Sequence, residues 1–339
     1  MIIFGVNMTV RIHPLLKLFL FLTLLFILPG CYRSSGEWKN EQINGDVRAD
    51  FHARLEELIT VIKFNQIKRV RAILSRELNS DDYTESLVDH LSNRFNDDNY
   101  SLFDEYHIIS KFTDDDTVKA TGYDINRYGL IYPQPAHEMY VAFYLPKKMK
   151  NAWLISIIYS KLDYGWRVTS LDAEHYTING KTGPELFNIA KDDFNKGYLI
   201  DAVNTAAMAE SCIKPAPGWQ YPDQDNLHDF YGRIVALAND KFKFPLVLNE
   251  VPTKPKIFRV FNQANDEGSF PMVHYLSSIK LKEEAAIRRE NAQIRKVIGK
   301  IMPGIDKNKK YVQYSAFNEL PSAKREVDRV EMTDTLKQH

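Results

Sequence analysis

Residues Ala152–Ile178 read AWLISIIYSKLDYGWRVTSLDAEHYTI, two runs rich in β-branched and aromatic residues on either side of the turn signal Asp163-Tyr164-Gly165. Such residues fit the pleated, half-buried surface of a sheet. Upstream, EYHIISKF (Glu105–Phe112), TVKATGYDI (Thr117–Ile125) and HEMYVAFYL (His137–Leu145) have the same character. Between them lie the turn signals Asp114-Asp115-Asp116, Tyr132-Pro133-Gln134-Pro135 and Lys147-Lys148. Strands joined by such short connections pair antiparallel.

Ahead of these strands the period changes. Phe51, Leu55, Leu58 and Ile62 step by four, three and four, which is one face of a helix. The pattern continues through Ile67, Val70 and Leu74 after a phase slip near Phe64-Asn65, which predicts a bend. A second helix carries Leu87, Leu91 and Phe95. Helices first and antiparallel strands after them make an α+β layer, one curved sheet wrapped over helices.

Residues 48–180 resemble the nuclear-transport-factor-2-like cone fold of small bacterial envelope proteins. The resemblance rests on the N-terminal helices and on a Trp-led strand that turns at Asp163-Tyr164-Gly165 into Trp166-Arg167-Val168. It implies a Trp packed beneath the helices and a pocket between sheet and helices, but no particular activity. Candidate pocket residues are Tyr106, His107, His137, Tyr140, Tyr144, Tyr159 and His175, side chains suited to acid–base work or hydrogen bonding. Strand alternation puts His137, Met139, Val141 and Phe143 on one face, and Glu138, Tyr140, Ala142 and Tyr144 on the other.

Downstream, Thr182-Gly183-Pro184 breaks the chain and opens a helix, with Pro184 in its first turn. Residues 184–215 read as two helices hinged near Gly197-Tyr198, a helical hairpin whose Ala202, Ala206 and Ala209 allow close contact. Cys212 belongs to it as a small apolar residue. Ala216–Gly232 is a Pro- and Asp-bearing loop with aromatics at Trp219 and Tyr221, followed by a helix over Leu227–Asn239. Strand patterns return at FKFPLVLNEV (Phe242–Val251), KIFRVFNQA (Lys256–Ala264) and FPMVHYLSSI (Phe270–Ile279), with Pro245 marking an edge. A helix over Leu281–Met302, a strand at KYVQYSAF (Lys310–Phe317) and a charged tail complete a second, smaller α+β unit. Arg288, Arg289, Arg295, Lys296 and Lys300 on that helix are diluted by Glu283, Glu284 and Glu290, as on an ordinary solvated face.

The N-terminus carries an address. Arg11 and Lys17 precede an apolar run from Leu18 to Leu28. Its eleven residues span roughly 16 Å as a helix, about half of a hydrocarbon core, which is the layout of a signal peptide. The run ends in Leu28-Pro29-Gly30-Cys31, which resembles the bacterial lipobox, with Pro29 where a small or aliphatic residue is usual. The resemblance implies cleavage before Cys31, a diacylglycerol on its thiol and an acyl chain, such as palmitate, on the new amino terminus. Several buried acyl chains hold a protein at a membrane where one does not. Tyr32 stands where an Asp retains some enteric lipoproteins at the inner membrane, so the address leans toward the outer membrane of a bacterial envelope. The expected organisation is a signal peptide over 1–30, a polar tether over 31–47, a cone-like domain over 48–180, a hairpin region over 181–240 and a C-terminal α+β domain over 241–339.

Lys plus Arg equals Asp plus Glu at 44 each, so no overall field draws the protein to nucleic acid. Two cysteines allow one disulfide at most. The sequence holds no P-loop, dinucleotide fingerprint, HExxH, GxSxG or CxxC, and the histidines lack metal-ligand spacing; neither a cofactor nor a metal is expected. Three functions fit. A membrane-anchored binding or interaction module, taking a protein or a small molecule, predicts a cavity lined by apolar and aromatic groups and exposed aromatics near Trp219 or Tyr221. A cone-fold enzyme predicts an Asp or Glu within hydrogen-bond reach of a buried His or Tyr. A structural part of an envelope assembly would dock through the hairpin at 184–215.

Overall fold

The computed structural model describes residues 35–336 apart from 80, 112–115, 119–123, 133, 134, 266, 323 and 324. The expected leader and lipobox, with Cys31, lie outside these residues, as do the turns expected around Asp114 and Pro133 and most of the strand expected over Thr117–Ile125.

Most of the expected tether is part of the fold. Strand β1 (Gly36–Lys39) pairs antiparallel with β2 (Tyr100–Ile109), placing Trp38 opposite His107. A short turn over 40–42 leads to α1 (Gly45–Lys63), capped by Asn44, whose Oδ1 accepts the Asp46 and Val47 amides. The stretch is polar because it forms a sheet edge and the wall of a cleft. Its few apolar groups, Trp38 and Ile43, join the core.

Helix α1 buries Phe51, Leu55, Leu58 and Ile62 as the spacing predicts. It breaks where the phase slips, with Asn65 at φ 51°, before α2 (Ile67–Ile73) and α3 (Asp81–Asp97). The first sheet follows β2. Its members are β5 (Glu138–Pro146), β6 (Trp153–Leu162) and β7 (Gly165–His175), all antiparallel, in the order β1-β2-β5-β6-β7. Two short strands, β3 (Asp116–Val118) and β4 (Gly129–Tyr132), pair beside it. At the β6–β7 turn Gly165 takes φ 104°, and Trp166 sets its ring edge-on to Phe51 of α1, 4.7 Å between centroids.

Both faces of this sheet are covered. Tyr140, Ala142, Ile155, Ile157, Val168 and Leu171 pack against α1–α3. On the reverse face Tyr106, Ile108, Met139, Val141, Phe143 and Leu154 share one apolar cluster with the hairpin helices. A small ladder, β8 (Thr177–Ile178) with β9 (Lys181–Thr182), leads to α4 (Gly183–Asn195), where Thr182 and Glu185 form a capping box. Gly197 at φ 77° joins α4 to α5 (Leu199–Ser211), whose Ala202, Ala206 and Ala209 are fully buried. Buried Cys212 ends it, its thiol pushed up to about 12 by desolvation. The chain then adds β10 (Trp219–Gln220) to β4 and continues into α6 (Gln224–Phe242). The result is a three-layer α/β/α arrangement, with a helical layer on each side of the sheet.

The second sheet runs β11-β12-β13-β14-β15, comprising Leu246–Val247, Lys256–Asn265, Gly268–Leu276, Tyr311–Phe317 and Val330–Thr335. Pro245 precedes the edge strand β11, as expected. Strands β13 and β14 are parallel, joined through α7 (Glu284–Ile301), whose Ile287, Ile294 and Ile298 are buried against the sheet. The charged tail contains β15, which pairs antiparallel with β14 and turns Met332 and Asp334 inward while Glu331 and Thr333 face outward. That period-two pattern is easily lost among charges. Ile200 of α5 and Ala238 and Phe242 of α6 enter this second core. No described helix is long and apolar enough to cross a membrane.

Candidate functional site

With both sheet faces filled, a cavity opens at the edge of the sheet. It is a cleft of about 970 Å³ beside β1, walled by Trp38, Lys39, Asn40, Asp104, Tyr106 and Tyr128. Strand β2 bulges between Leu102 and Asp104, and the carboxylates of Asp104 and Glu105 then serve different networks. Asn40, at φ 51°, clips the two residues together. Its Nδ2 donates to Asp104 Oδ1 at 2.9 Å, and its Oδ1 accepts the Glu105 amide at 2.9 Å.

On the cleft side, Asp104 Oδ2 lies 2.7 Å from Lys39 Nζ and accepts the Tyr128 hydroxyl at 2.5 Å. Tyr128 Oη lies 2.8 Å from Tyr106 Oη. The Lys39 ammonium stands over both rings, 5.3 Å from the Tyr106 centroid and 5.5 Å from that of Tyr128. The Tyr128 ring also stacks on Trp219. Burial lowers the proton affinity of Lys39, but its hydrogen bond and charge contact with Asp104 outweigh that and leave it above the ordinary value. Burial pushes Tyr106 and Tyr128 upward, and for Tyr128 the neighbouring Tyr106 and Asp104 add to the rise. At neutral pH the floor of the cleft therefore presents an ammonium and two phenolic O–H groups around the buried Asp104 side chain. Glu37, Glu41 and Asp124 are exposed around the mouth, which Arg127 also lines.

On the helix side, Glu105 has no solvent exposure. It accepts from Arg48 Nε at 2.5 Å and from Tyr140 Oη, and lies 2.8 Å from His52 Nε2. A third buried carboxylate, Glu138, lies 3.1 Å from His107 Nε2 and 2.7 Å from Lys161 Nζ, with Trp38 lying over the His107 ring.

The seven sequence-derived candidates do not converge. Tyr106 lines the cleft, and His107 and Tyr140 sit in the networks behind it. Tyr144 and Tyr159 belong to the helix-side core, where Tyr159 Oη donates to the Arg54 carbonyl at 3.3 Å. His175 is beneath Trp153 at the far strand, its proton affinity lowered by burial and by Arg94. His137 is exposed at the start of β5, with Nδ1 3.2 Å from the Ser110 carbonyl. Trp219 and Tyr221 are only 1% and 2% exposed; they fasten the 216–232 loop to the domain and form no exposed aromatic patch. Lys39, Asn40, Asp104 and Tyr128 carry no signal of their own in the sequence, because β1 has the composition of a tether and Asp104 sits at a bulge. A lone Trp38 in a polar stretch was the available signal. Among the described residues no group of three His, Cys, Asp or Glu could hold a metal ion.

No protein-family model matches this chain, and comparison with curated proteins and with solved structures gives no match.

Proposed function

We propose that this protein is an envelope lipoprotein, held at a bacterial membrane by acyl chains on Cys31, and that its α+β domain binds a small cationic ligand in the edge cleft. One observation carries the ligand class: the cleft already holds an ammonium, that of Lys39, on Asp104 and over two tyrosine rings. Four carboxylates, Glu37, Glu41, Asp104 and Asp124, line the cleft against two cations, Lys39 and Arg127. Carboxylates beside aromatic rings suit an amine or a quaternary ammonium. An acid–base enzyme draws support from the Asp104–Tyr128 contact. Against it, Lys39, Tyr106 and Tyr128 all hold their protons more tightly than usual, whereas acid–base catalysis favours a group poised near neutral pH. A docking role for the hairpin is weakened because Leu186, Phe187, Ala202, Ala206 and Ala209 are already buried in the sheet's core.

Calorimetric titration with spermidine and with choline tests the cleft. Binding to the wild type should weaken about fivefold or more in Glu41→Gln/Asp124→Asn, two exposed positions. An unchanged unfolding midpoint is the control, because Glu41 also contacts Arg48 at 3.5 Å and Asp124 accepts the Asn126 amide. Equal affinity for both proteins refutes the cleft reading. The anchor is tested separately by fractionating cells that express Cys31→Ser. Loss from the membrane pellet is expected, and a cleaved variant that stays in the pellet rules out lipidation.

A further inference from the structure

A second groove, of about 510 Å³, lies where α4 and α5 meet the β8–β9 ladder and the ends of the second sheet. Its charge is opposite to that of the edge cleft: six lysines line it against three acids. The acids are already engaged. Asp201 Oδ2 lies 3.0 Å from Lys309 Nζ, which also donates to the Gly304 and Lys307 carbonyls. Glu267 is held by Lys310 and by the Tyr311 hydroxyl at 2.9 Å, and Asp193 feels the charges of Lys309 and Lys196. Lys150, Lys196 and Lys307, by contrast, have no carboxylate within 4 Å among the described residues. Lys181 has only a loose 3.8 Å contact with Glu185.

Among these lysines sits Asn204, only 7% exposed, whose buried Nδ2 has no hydrogen-bond acceptor. A buried amide donor left without an acceptor costs about 1–3 kcal/mol. Asn262, which also lines the groove, has a buried Oδ1 that is likewise unpartnered, so both a donor and an acceptor await a ligand there. Helix α5 also begins here, with Tyr198 and Asp201 in the lining, so the positive end of its dipole faces the same space. Surplus ammonium groups, an orphaned N–H donor and a helix N-terminus all call for an anion with several oxygens.

We infer that this groove binds a phosphate-bearing anion, at a site separate from the edge cleft and independent of what that cleft takes. The phosphate could come from a soluble ester or from a phospholipid headgroup, and the two arms of one experiment tell them apart. The full chain is titrated at low salt with inorganic pyrophosphate and glycerol 3-phosphate in one arm. In the other it is titrated with dioctanoyl phosphatidylglycerol below its micellar concentration. Saturable binding in either arm is expected, and the stronger arm names the source. Asn204→Leu should weaken it about tenfold, and Lys196→Gln/Lys307→Gln should weaken it and flatten its salt dependence. The two lysines are exposed, so the double variant decides the matter even if Asn204→Leu does not fold. No saturable binding in either arm, or wild-type affinity in the lysine double variant, overturns the inference.

Discussion

Tyr140 on β5 donates its hydroxyl to Glu105 on β2, and neither side chain has any solvent exposure. Arg48 and His52 reach the same carboxylate from α1, so one group ties the first helix to two strands. Removing one member of a buried charged network leaves the others uncompensated, at about 3–5 kcal/mol. Glu105→Ala should therefore destabilise the protein by about that much in urea unfolding. Tyr140→Phe, which leaves the Arg48 contact intact, should cost about 1–2 kcal/mol. A Glu105→Ala loss below about 1 kcal/mol would show that the network adds little.

Gly218 couples the loop to the cleft. It sits at φ 74°, and a Cβ placed there would lie 1.8 Å from the Ile131 carbonyl oxygen. The Ile131 amide donates to the Gly218 carbonyl at 2.8 Å, which brings Trp219 against Tyr128. Gly218→Ala combines an unfavourable φ with a backbone clash, and should lower stability by more than about 2 kcal/mol. It should also weaken any ligand of the edge cleft, because Tyr128 loses its backing. Thermal unfolding together with spermidine titration checks both effects, and an unchanged midpoint contradicts the clash.

The sequence made the elements legible wherever one face of each was wet. Helix α1, the β6–β7 hairpin, the capped start of α4 and the isoleucine face of α7 all carry their period openly. It was misleading where burial is two-sided or polarity serves the site. Because α4–α6 cover the reverse face, Met139, Val141 and Phe143 mark a packed core and no open pocket. Glu37, Lys39 and Asn40 looked like a solvated linker, since period-two alternation over four residues is too short to stand out. The site was legible only in Tyr106. Asp104, Tyr128 and Lys39 lie in separate segments, and pairing of β1 with β2 is what brings Lys39 to Asp104.

His274 sits among the rings of Phe258, Phe261 and Phe317, and its pKa is lowered to about 4. Burial is the main cause; Arg259 and Arg329 add to it, and Glu331 opposes them. A depressed folded-state value means that the neutral ring is favoured in the native protein. Its contribution to stability is complete above the unfolded value of about 6.5 and is lost as pH falls through about 4. Wild-type protein should weaken across that window relative to His274→Phe, with the gap closing above pH 7. Parallel unfolding curves for the two proteins at pH 4.5 and 7.5 would contradict this.

Asp201 gives the opposite slope in the lysine-lined groove. It is 7% exposed and its pKa is pushed up to about 6, burial outweighing the pull of Lys309. A raised carboxyl favours the protonated native state. Its contribution is therefore complete below the unfolded value near 3.8 and is lost as pH rises through about 6. At about 1.4 kcal/mol per unit, wild type should lose up to about 3 kcal/mol relative to Asp201→Asn between pH 4 and pH 7. The substitution also removes a partner of Lys309, so the offset between the two proteins is not itself diagnostic. The slope of the difference with pH, measured by urea unfolding, is thus the diagnostic quantity. A flat difference would mean that Lys309 holds Asp201 ionised despite its burial.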